Sequence, residues 1–365
     1  MKIAFDSQIF SAQVYGGISR YFCEIASKLS KNSKETVKIV APMHINAYVD
    51  NLPKEILSGF HSPFSSDFLR LHQRAASIVL GDLILRFIRP DIIHETYYFK
   101  YPLGPRSASR LLTVYDMIHE KFESQFPYED KTAKYKAAAV ARADHIICIS
   151  ESTKKDLIDI LKVRPEKITV IHLGFDLTDS PHSLVEHNGR DYLLYVGNRG
   201  GYKNFLTMLE VYASSEVLRS KCDLICFGGG AFNADELNAI RALNLSPKNV
   251  VQLSGGDALL ANHYKSASAF VFPSLYEGFG IPPLEAMSYG CPVVCSDTSS
   301  IPEVVGDAGQ YFNPYDKESM QNSIEKVINS SALRDSLTAK GYLRLQEFSW
   351  DKCARATLNV YKNLV

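Results

Sequence analysis

The sequence has no uncharged apolar run of about 18 residues, the length that a membrane-spanning helix requires. It also has no excess of either charge, because 40 lysines and arginines balance 40 aspartates and glutamates. This balance gives no reason to expect nucleic acid as a partner. The first ten residues, MKIAFDSQIF, resemble neither a signal peptide nor a transit peptide. We therefore expect a cytoplasmic protein that does not bind nucleic acid.

Two kinds of motif are also missing. The sequence contains no G-x-G-x-x-G fingerprint, which argues against a nicotinamide-dependent oxidoreductase. Cys222 and Cys226, like Cys291 and Cys295, are four residues apart, but neither pair has the spacing or the neighbouring histidine of a zinc knuckle. Most of the seven cysteines lie in apolar, strand-like stretches. We expect them to be reduced and buried, and we predict no metal ligands and no cofactor.

Short apolar runs alternate with amphipathic ones along almost the whole chain, which predicts an α/β fold with parallel strands. The predicted strands are 2–5, 37–41, 91–95, 111–114, 145–150, 168–171, 192–196, 223–227, 250–253, 269–272 and 292–296. The predicted helices include 18–30, 131–143, one capped by Ser150 or Ser152, 257–267, one from Ile281, and most of the chain after Asp316.

The length of 365 residues suits two domains of about 150 residues each. We predict two doubly wound, Rossmann-like domains, 1–175 and 191–345, joined by the polar linker 176–190. The helical tail, 346–365, is expected to pack back toward the N-terminal domain. Ligands of such sheets bind beyond the carboxyl ends of the strands, so we expect the active site in a central cleft that the two domains face.

Glycine-rich loops follow several of the predicted strands. Gly16 and Gly17 directly precede a helix, where backbone N–H groups can approach an anion, although such pairs are also ordinary turn residues. The loop GNRGGYKN, 197–204, adds Arg199 and Lys203, which suit a diphosphate. The run 228–230 permits either close approach of a ligand or a tight turn.

The stretch EGFGIPPLE, 277–285, places two carboxylates around a helix start. Pro282 and Pro283 are tolerated only in a first turn, so the helix is predicted to begin at about Ile281 and to run through 287. Glu277 precedes the helix and Glu285 lies one turn inside it. Carboxylates accept hydrogen bonds from hydroxyl pairs. The pattern therefore favours a ligand with phosphates between two polyhydroxylated rings, such as a sugar nucleotide.

This stretch closely resembles the E-x7-E signature of retaining glycosyltransferases of family 4, which have the GT-B fold. The resemblance extends to GGISRYF, ADHIICISESTKKDL, YVGNRGGYKN and SSIPEVVGDAGQYFNPYD, and so covers essentially the whole chain. It is closest to the branch of bacterial mannosyltransferases of O-antigen and capsule assembly. The resemblance implies a metal-independent hexosyltransferase, in keeping with the absence of an Asp-x-Asp motif. Its partners would be a nucleoside diphosphate sugar, with GDP as the expected nucleotide, and a lipid-linked glycan.

The resemblance also implies roles for individual residues. Gly16 and Gly17 would approach the donor diphosphate and the acceptor side, and Lys203 and Arg199 would neutralise the diphosphate. Glu277 and the backbone of Gly278, Phe279 and Gly280 would hold the donor sugar, while Glu285 would take the ribose hydroxyls. Without an obvious protein nucleophile, catalysis would rest on stabilising the leaving group, and Lys203 is the first residue we assign to that task.

The sequence departs from the family pattern after the strand 111–114. Many relatives have a His-Asp pair there, with the histidine against the donor sugar, whereas this chain has Tyr115 and Asp116, with His119 four residues beyond Tyr115. Either Tyr115 takes over that contact or the sugar lacks the group that the histidine would touch, as a 6-deoxy sugar would. The same departure leaves a second function open, a sugar-nucleotide-binding subunit without turnover.

The helix-like segment 65–88 has two interpretations. Its apolar residues Leu69, Ile78, Leu80 and Leu83 either cover the N-terminal sheet or rest on a membrane surface. The second interpretation would give peripheral association with the inner face of the cytoplasmic membrane.

Overall fold

The computed structural model describes residues 1–62, 67–176 and 189–365. These residues form two compact units, one of Met1–Gly174 with Phe348–Val365 and the other of Phe175–Glu347. Each unit contains one parallel sheet with helices, which is an α/β arrangement. Of the predicted linker 176–190, residues 177–188 lie outside the described residues.

The first unit has a sheet of seven strands within its described residues. The strands are β1 (Lys2–Phe5), β2 (Thr36–His44), β3 (Leu57–His61), β4 (Ile92–Glu95), β5 (Ser109–Val114), β6 (His145–Cys148) and β7 (Ile168–Val170). Their order is β3-β2-β1-β4-β5-β6-β7, and every neighbouring pair is parallel. The helices that follow these strands are α1 (Gly17–Asn32), α2 (Asp67–Ile88), α3 (Ile118–Lys121), α4 (Thr132–Arg142) and α5 (Glu151–Leu161). Of the two predicted caps of α5, the structure selects Ser150, whose side chain accepts a hydrogen bond from the Thr153 N–H.

The second unit repeats the plan with six strands among the residues described. They are β8 (Asp191–Val196), β9 (Cys222–Phe227), β10 (Val250–Leu253), β11 (Ala269–Phe272), β12 (Val293–Ser296) and β13 (Gly309–Phe312). Their order is β10-β9-β8-β11-β12-β13, again parallel throughout. The helices are α6 (Phe205–Ser214), α7 (Glu216–Lys221), α8 (Ala234–Ala242), α9 (Asp257–Ser266), α10 (Ile281–Ser288), α11 (Ile301–Val305), α12 (Lys317–Ile328) and α13 (Ser331–Leu345).

The hydrophobic core of the second unit contains strands that helices cover on both faces. Every residue of β9 and β11 is buried, as the continuous apolar runs predict for a parallel sheet between helix layers. The seven cysteines are all buried and unpaired, which confirms that part of the prediction. Within the described ranges, no helix combines the length and the apolar character needed to cross a bilayer.

The last helix, α14 (Trp350–Lys362), belongs to the first unit although the second unit precedes it in the chain. Trp350 packs against Tyr21 of α1, with ring centroids 6.2 Å apart, and Lys28 of α1 forms an ion pair of 2.8 Å with Asp351. The Ser109 hydroxyl donates to the Leu364 carbonyl at 3.1 Å. The tail is therefore an integral part of the first unit.

Candidate active site

Two loops that follow strands of the second unit meet through an ion pair. A short 3-10 turn, Gly201–Lys203, lies between β8 and α6, and Glu277 lies between β11 and α10. The Lys203 Nζ is 2.7 Å from the Glu277 Oε1, and the two side chains are 22% and 11% exposed. The Leu275 N–H also donates to the Tyr202 carbonyl at 2.7 Å, which joins the two loops through their backbones. The arrangement leaves a partly accessible cation beside a carboxylate.

Two serines, Ser299 and Ser300, hold the loop before α10 in place through hydrogen bonds. The Ser299 hydroxyl accepts a hydrogen bond from the Glu277 N–H at 2.9 Å. The Ser300 Oγ lies 2.8 Å from both the Glu277 and the Phe279 carbonyl oxygens, so its single hydrogen is shared between these two acceptors. Because these bonds satisfy the backbone of a buried loop, its shape is set before any ligand arrives.

Helix α10 begins at Ile281, as the two prolines predict. Gly280 precedes it with φ of 112°, in the left-handed region that favours glycine. The first N–H groups of a helix have no intrahelical partner and carry partial positive charge, so they attract anions. Because Pro282 and Pro283 have no N–H, the first helical donor of α10 is the Ile281 N–H, which adds to the positive charge of Lys203 beside the loop of Glu277.

Glu285 lies one turn into α10 and is partly buried. The Tyr264 hydroxyl of α9 donates to the Glu285 Oε2 at 3.3 Å. Burial, reinforced by the Glu285 carboxylate, raises the pKa of Tyr264 well above its ordinary value, so the phenol stays protonated and remains a donor. This bond orients the carboxylate, which retains further lone pairs for ligand hydroxyls.

Arg199 is buried beneath the glycine run rather than projecting from its own loop. Its guanidinium donates to the carbonyls of Gly228, Gly230 and Ala231 at 2.8, 3.0 and 3.0 Å, and its Nε lies 2.9 Å from the Glu236 Oε1. The three glycines 228–230 have φ of 84°, 69° and 72°, a left-handed run that points successive carbonyls at one group. Arg199 therefore shapes the loop, and its direct contact with a diphosphate stays a prediction.

The sequence comparisons identify the family to which these loops belong. Residues 15–179 match the family described as Glycosyltransferase Family 4, and residues 178–344 match Glycosyl transferases group 1. The chain is 32% identical to the O-antigen chain mannosyltransferase B of Escherichia coli, in an alignment that covers 100% of both proteins. The chain belongs to the family 4 glycosyltransferases. The resemblance noted in the sequence is thereby confirmed.

Solved glycosyltransferases share the architecture of the chain. Sucrose-phosphate synthase from Thermosynechococcus elongatus aligns with a TM-score of 0.75 and 19% identity, covering 100% of this chain and 98% of that one. The Anabaena protein HepE, solved with UDP and glucose, aligns with a TM-score of 0.72 and 18% identity over 100% of both chains. These likenesses confirm the predicted GT-B fold with two doubly wound units.

The site residues predicted in the first unit occupy two loops of this glycosyltransferase. Gly16 caps α1, and Gly17 is its first residue. Tyr115 and Asp116 follow β5, where the Asp116 Oδ1 accepts a hydrogen bond from the Ile118 N–H at 3.0 Å. The buried ammonium of Lys136 donates to the Asp116 carbonyl at 2.8 Å, which fixes the backbone of this loop. Roles of the four residues toward a donor stay predictions.

Tyr115 is 7% exposed and packs its ring edge-on against Tyr21 and Phe22. Its hydroxyl is buried and has no hydrogen-bond partner among the residues that the structure describes. The ring of His119 stacks on the ring of Phe126, with ring centroids 4.1 Å apart.

Four residues that shape the second unit's loops were not singled out by sequence reasoning: Glu236, Tyr264, Ser299 and Ser300. The sequence contained a signal for Glu236, because Asn233 followed three residues later by Glu236 is the pattern of a capping box, which the two residues form at the start of α8. The serine pair before Ile301 and Pro302 also marks a helix start. Neither pattern reveals the partner across the fold, which depends on how separate loops meet.

Proposed function

We propose that this glycosyltransferase moves a hexose-type residue, mannose or a 6-deoxy hexose, from a GDP-linked donor to a lipid-linked glycan of bacterial surface polysaccharide. The 2.7 Å pair of Lys203 and Glu277 beside the start of α10 is the observation that carries this proposal. It offers a cation for phosphate next to an acceptor for sugar hydroxyls. The name of the E. coli relative, an O-antigen chain mannosyltransferase, supports the sugar and the pathway class.

The proposed chemistry is retaining and requires no metal ion. The acceptor hydroxyl attacks the anomeric carbon from the face that the diphosphate leaves, the bond from that carbon to the diphosphate oxygen breaks, and the acceptor proton passes to the leaving oxygen. Lys203 and the Ile281 N–H at the start of α10 stabilise the charge that develops on the diphosphate, whereas Pro282 and Pro283 carry no N–H. Glu277 binds hydroxyls of the sugar, Glu285 binds those of the ribose, and Arg199 acts by holding the loop 228–231.

The test is transfer by the purified protein from GDP-mannose, a GDP-linked 6-deoxy hexose, and UDP-glucose to a lipid-linked oligosaccharide, followed by mass spectrometry. We expect product from a GDP donor without added Mg²⁺ or Mn²⁺, and NMR of the new linkage should show the donor's anomeric configuration. Inverted configuration or a requirement for either ion would contradict the mechanism. Protection against heat by the donor without transfer would instead indicate a binding subunit.

The choice between mannose and a 6-deoxy sugar depends on Tyr115. Tyr115, whose buried hydroxyl has no partner among the described residues, stands where the family resemblance leads us to expect a histidine against the donor sugar. A 6-deoxy hexose lacks the hydroxyl that such a histidine would touch, so we include it as a donor. Relative kcat/KM for GDP-mannose and its 6-deoxy counterpart decides the matter, and a clear preference for mannose removes the 6-deoxy proposal.

The first unit also supports peripheral membrane association. Ile78 and Leu85 of α2 pack on the sheet, whereas one face of the helix exposes Phe68, Leu71, Val79, Leu80, Leu83 and Phe87. Phe87 is 88% exposed, far more than packing against the sheet would leave. We propose that this face contacts the inner leaflet of the cytoplasmic membrane. Co-sedimentation with anionic vesicles should fall in a Leu83→Ser/Phe87→Ser variant, and unchanged sedimentation would contradict the proposal.

A further inference from the structure

Three metal-binding side chains converge at the edge of the first unit's sheet. His44 is the last residue of β2 and His61 is the last residue of β3, and the parallel register pairs them directly. Their rings lie 5.4 Å apart at 77°. Asp50, in the 3-10 turn Val49–Asn51 between the strands, places its Oδ2 2.7 Å from the His61 Nδ1 and its Oδ1 3.8 Å from the His44 Nε2. One ligand atom from each residue lies within 4.8 Å of the others.

His44 is the unusual member of this group. Its side chain is fully buried, yet neither ring nitrogen has a hydrogen-bond partner among the residues that the structure describes. Buried polar groups are nearly always paired, because an unpaired one loses its hydration without compensation. A neutral imidazole has one nitrogen lone pair that can bind a metal ion. A bound ion would satisfy that lone pair.

The donor set and its spacing suit a transition-metal ion. Two imidazoles and one carboxylate are typical ligands of Zn²⁺, with bonds of about 2.0–2.2 Å and therefore about 3.3 Å between ligand atoms of a tetrahedral site. The observed separations of 2.7 and 3.8 Å involve the two different oxygens of Asp50, and one ligand atom from each of the three residues lies within 4.8 Å of the others. Binding of one ion by all three would draw the ligand atoms closer together, to about 3.3 Å. Asp50 and His61 are 41% and 38% exposed, which leaves an entry path and room for a water ligand.

We propose that His44, Asp50 and His61 form a binding site for a divalent transition-metal ion of the Zn²⁺ class. It would be a site of structural stabilisation, separate from the transfer chemistry proposed above, which uses no metal ion. The ion would fix the turn that carries Asp50 to the ends of β2 and β3. The three ligands come from the end of β2, from the turn between the strands and from the end of β3. A bound ion would therefore cross-link these three parts of the chain.

The turn that the ion would hold also supports the segment before Gly16. The buried Asn46 amide donates to the Gln13 carbonyl at 2.8 Å, and the Ala47 N–H donates to the Val14 carbonyl at 3.0 Å. The same Asn46 accepts hydrogen bonds from the N–H groups at the start of the 49–51 turn. Metal binding would therefore stabilise residues 10–16 as well as the edge of the sheet.

The test uses the full chain with its affinity tag removed, stripped with a chelator and desalted. Titration with ZnCl₂ by calorimetry and metal analysis after gel filtration should show one equivalent of zinc per chain. Titration with Co²⁺ should produce the visible absorption of a low-symmetry site with nitrogen and oxygen ligands. The fluorescence of Trp350, the sole tryptophan, reports the first unit, and zinc should raise its urea midpoint.

The variants Asp50→Asn and His61→Ala test the ligands without disturbing buried groups. We expect each to weaken zinc binding at least tenfold and to lose the zinc-dependent shift of the urea midpoint. His72→Ala, an exposed histidine of α2 outside the group, is the matched control and should bind as the parent does. The proposal would be overturned if the parent bound no stoichiometric zinc, or if both ligand variants bound zinc with unchanged affinity.

Discussion

The imidazole Nδ1 of His94, on β4, lies 2.7 Å from the hydroxyl of Tyr361, on α14. The other ring nitrogen, Nε2, lies 2.8 Å from the Thr113 hydroxyl. Burial lowers the pKa of His94 to about 3, so the ring is neutral, with one nitrogen donating and the other accepting. This bond connects the centre of the first sheet to the tail of the chain.

The substitution Tyr361→Phe should therefore destabilise the first unit. It removes one hydroxyl and leaves the buried Nδ1 of His94 without a partner, at a cost of about 1–3 kcal/mol. Urea unfolding followed by Trp350 fluorescence measures the effect, because that tryptophan lies on the same helix. Tyr128→Phe, at a fully exposed tyrosine, is the control and should change the free energy of unfolding very little. Equal stabilities of the two variants would contradict this role for the tail.

The raised pKa of Asp6 predicts how the free energy of unfolding depends on pH. Burial, with the nearby Glu95, raises the pKa of Asp6 from 3.8 to about 6. The folded state therefore binds this proton more tightly than the unfolded state. The resulting stabilisation is complete below pH 3.8 and is lost as the pH rises through about 6. A pKa near 6 instead of 3.8 corresponds to about 3 kcal/mol at most.

The variant Asp6→Asn removes this titration while keeping an acceptor for the Thr96 N–H. We expect its free energy of unfolding, relative to the parent, to rise by about 1–3 kcal/mol between pH 4 and pH 8. His94 contributes the opposite slope, because its lowered pKa makes stability fall as the pH drops below 6.5, but it is common to both proteins. Asp159→Asn, at an exposed position of α5, should show no such divergence. Parallel pH profiles of parent and Asp6→Asn would refute the assignment.

Lys203 should contribute mainly to kcat. The variant Lys203→Gln keeps a donor of similar length but loses the charge that the proposed mechanism places at the leaving diphosphate. Removing one such group from an active site costs about 100- to 1000-fold in kcat. Steady-state kinetics with the GDP donor measure the loss, and Lys317→Gln, at an exposed ion pair of the same unit, is the matched control. A kcat within about threefold of the parent would exclude Lys203 from leaving-group stabilisation.

Glu285 should contribute mainly to donor binding. Glu285→Gln preserves the shape and the contact with Tyr264 but weakens the charge-assisted acceptor that we propose for the ribose hydroxyls. Hydrogen bonds to charged groups are worth about 1.5–3 kcal/mol. We expect the KM for the donor to rise about tenfold while kcat changes little. The exposed Glu318 gives the control variant Glu318→Gln. If kcat falls and KM stays constant, Glu285 acts on the reacting centre instead.

The sequence predicted strands and helix starts well where local chemistry decides them. Continuous apolar runs located β8 and β11, and Pro282 located the start of α10. It missed β3, because LSGFH is a largely exposed edge strand with a glycine, and β13, because GQYF is mostly half-buried and begins with glycine. These strands depend on a neighbour for their hydrogen bonds, which a single-sequence pattern does not contain.

The candidate site also combines features that the local sequence predicts with features that depend on the tertiary fold. The sequence predicted that Lys203 and Glu277 would serve one ligand, and the structure brings them into contact. It predicted that Arg199 would neutralise the diphosphate, which stays a prediction, and it did not predict that the guanidinium would contact the carbonyls of Gly228 and Gly230. A cation in a glycine loop looks the same in sequence whether it faces a ligand or a set of carbonyls. Only the tertiary fold distinguishes the two.

The variant Arg199→Lys separates these two roles of the residue. If Arg199 only neutralised phosphate, lysine would keep most of the affinity, whereas Arg199→Met would lose it. In the structure the planar guanidinium contacts three carbonyls and Glu236, an arrangement that a single ammonium does not reproduce. We therefore expect both variants to weaken GDP binding by a similar factor of about ten or more in calorimetry. Amide hydrogen exchange at residues 228–231 should rise in both, because the loop loses its anchor. Unchanged exchange together with near-parental affinity of Arg199→Lys would instead establish direct charge neutralisation.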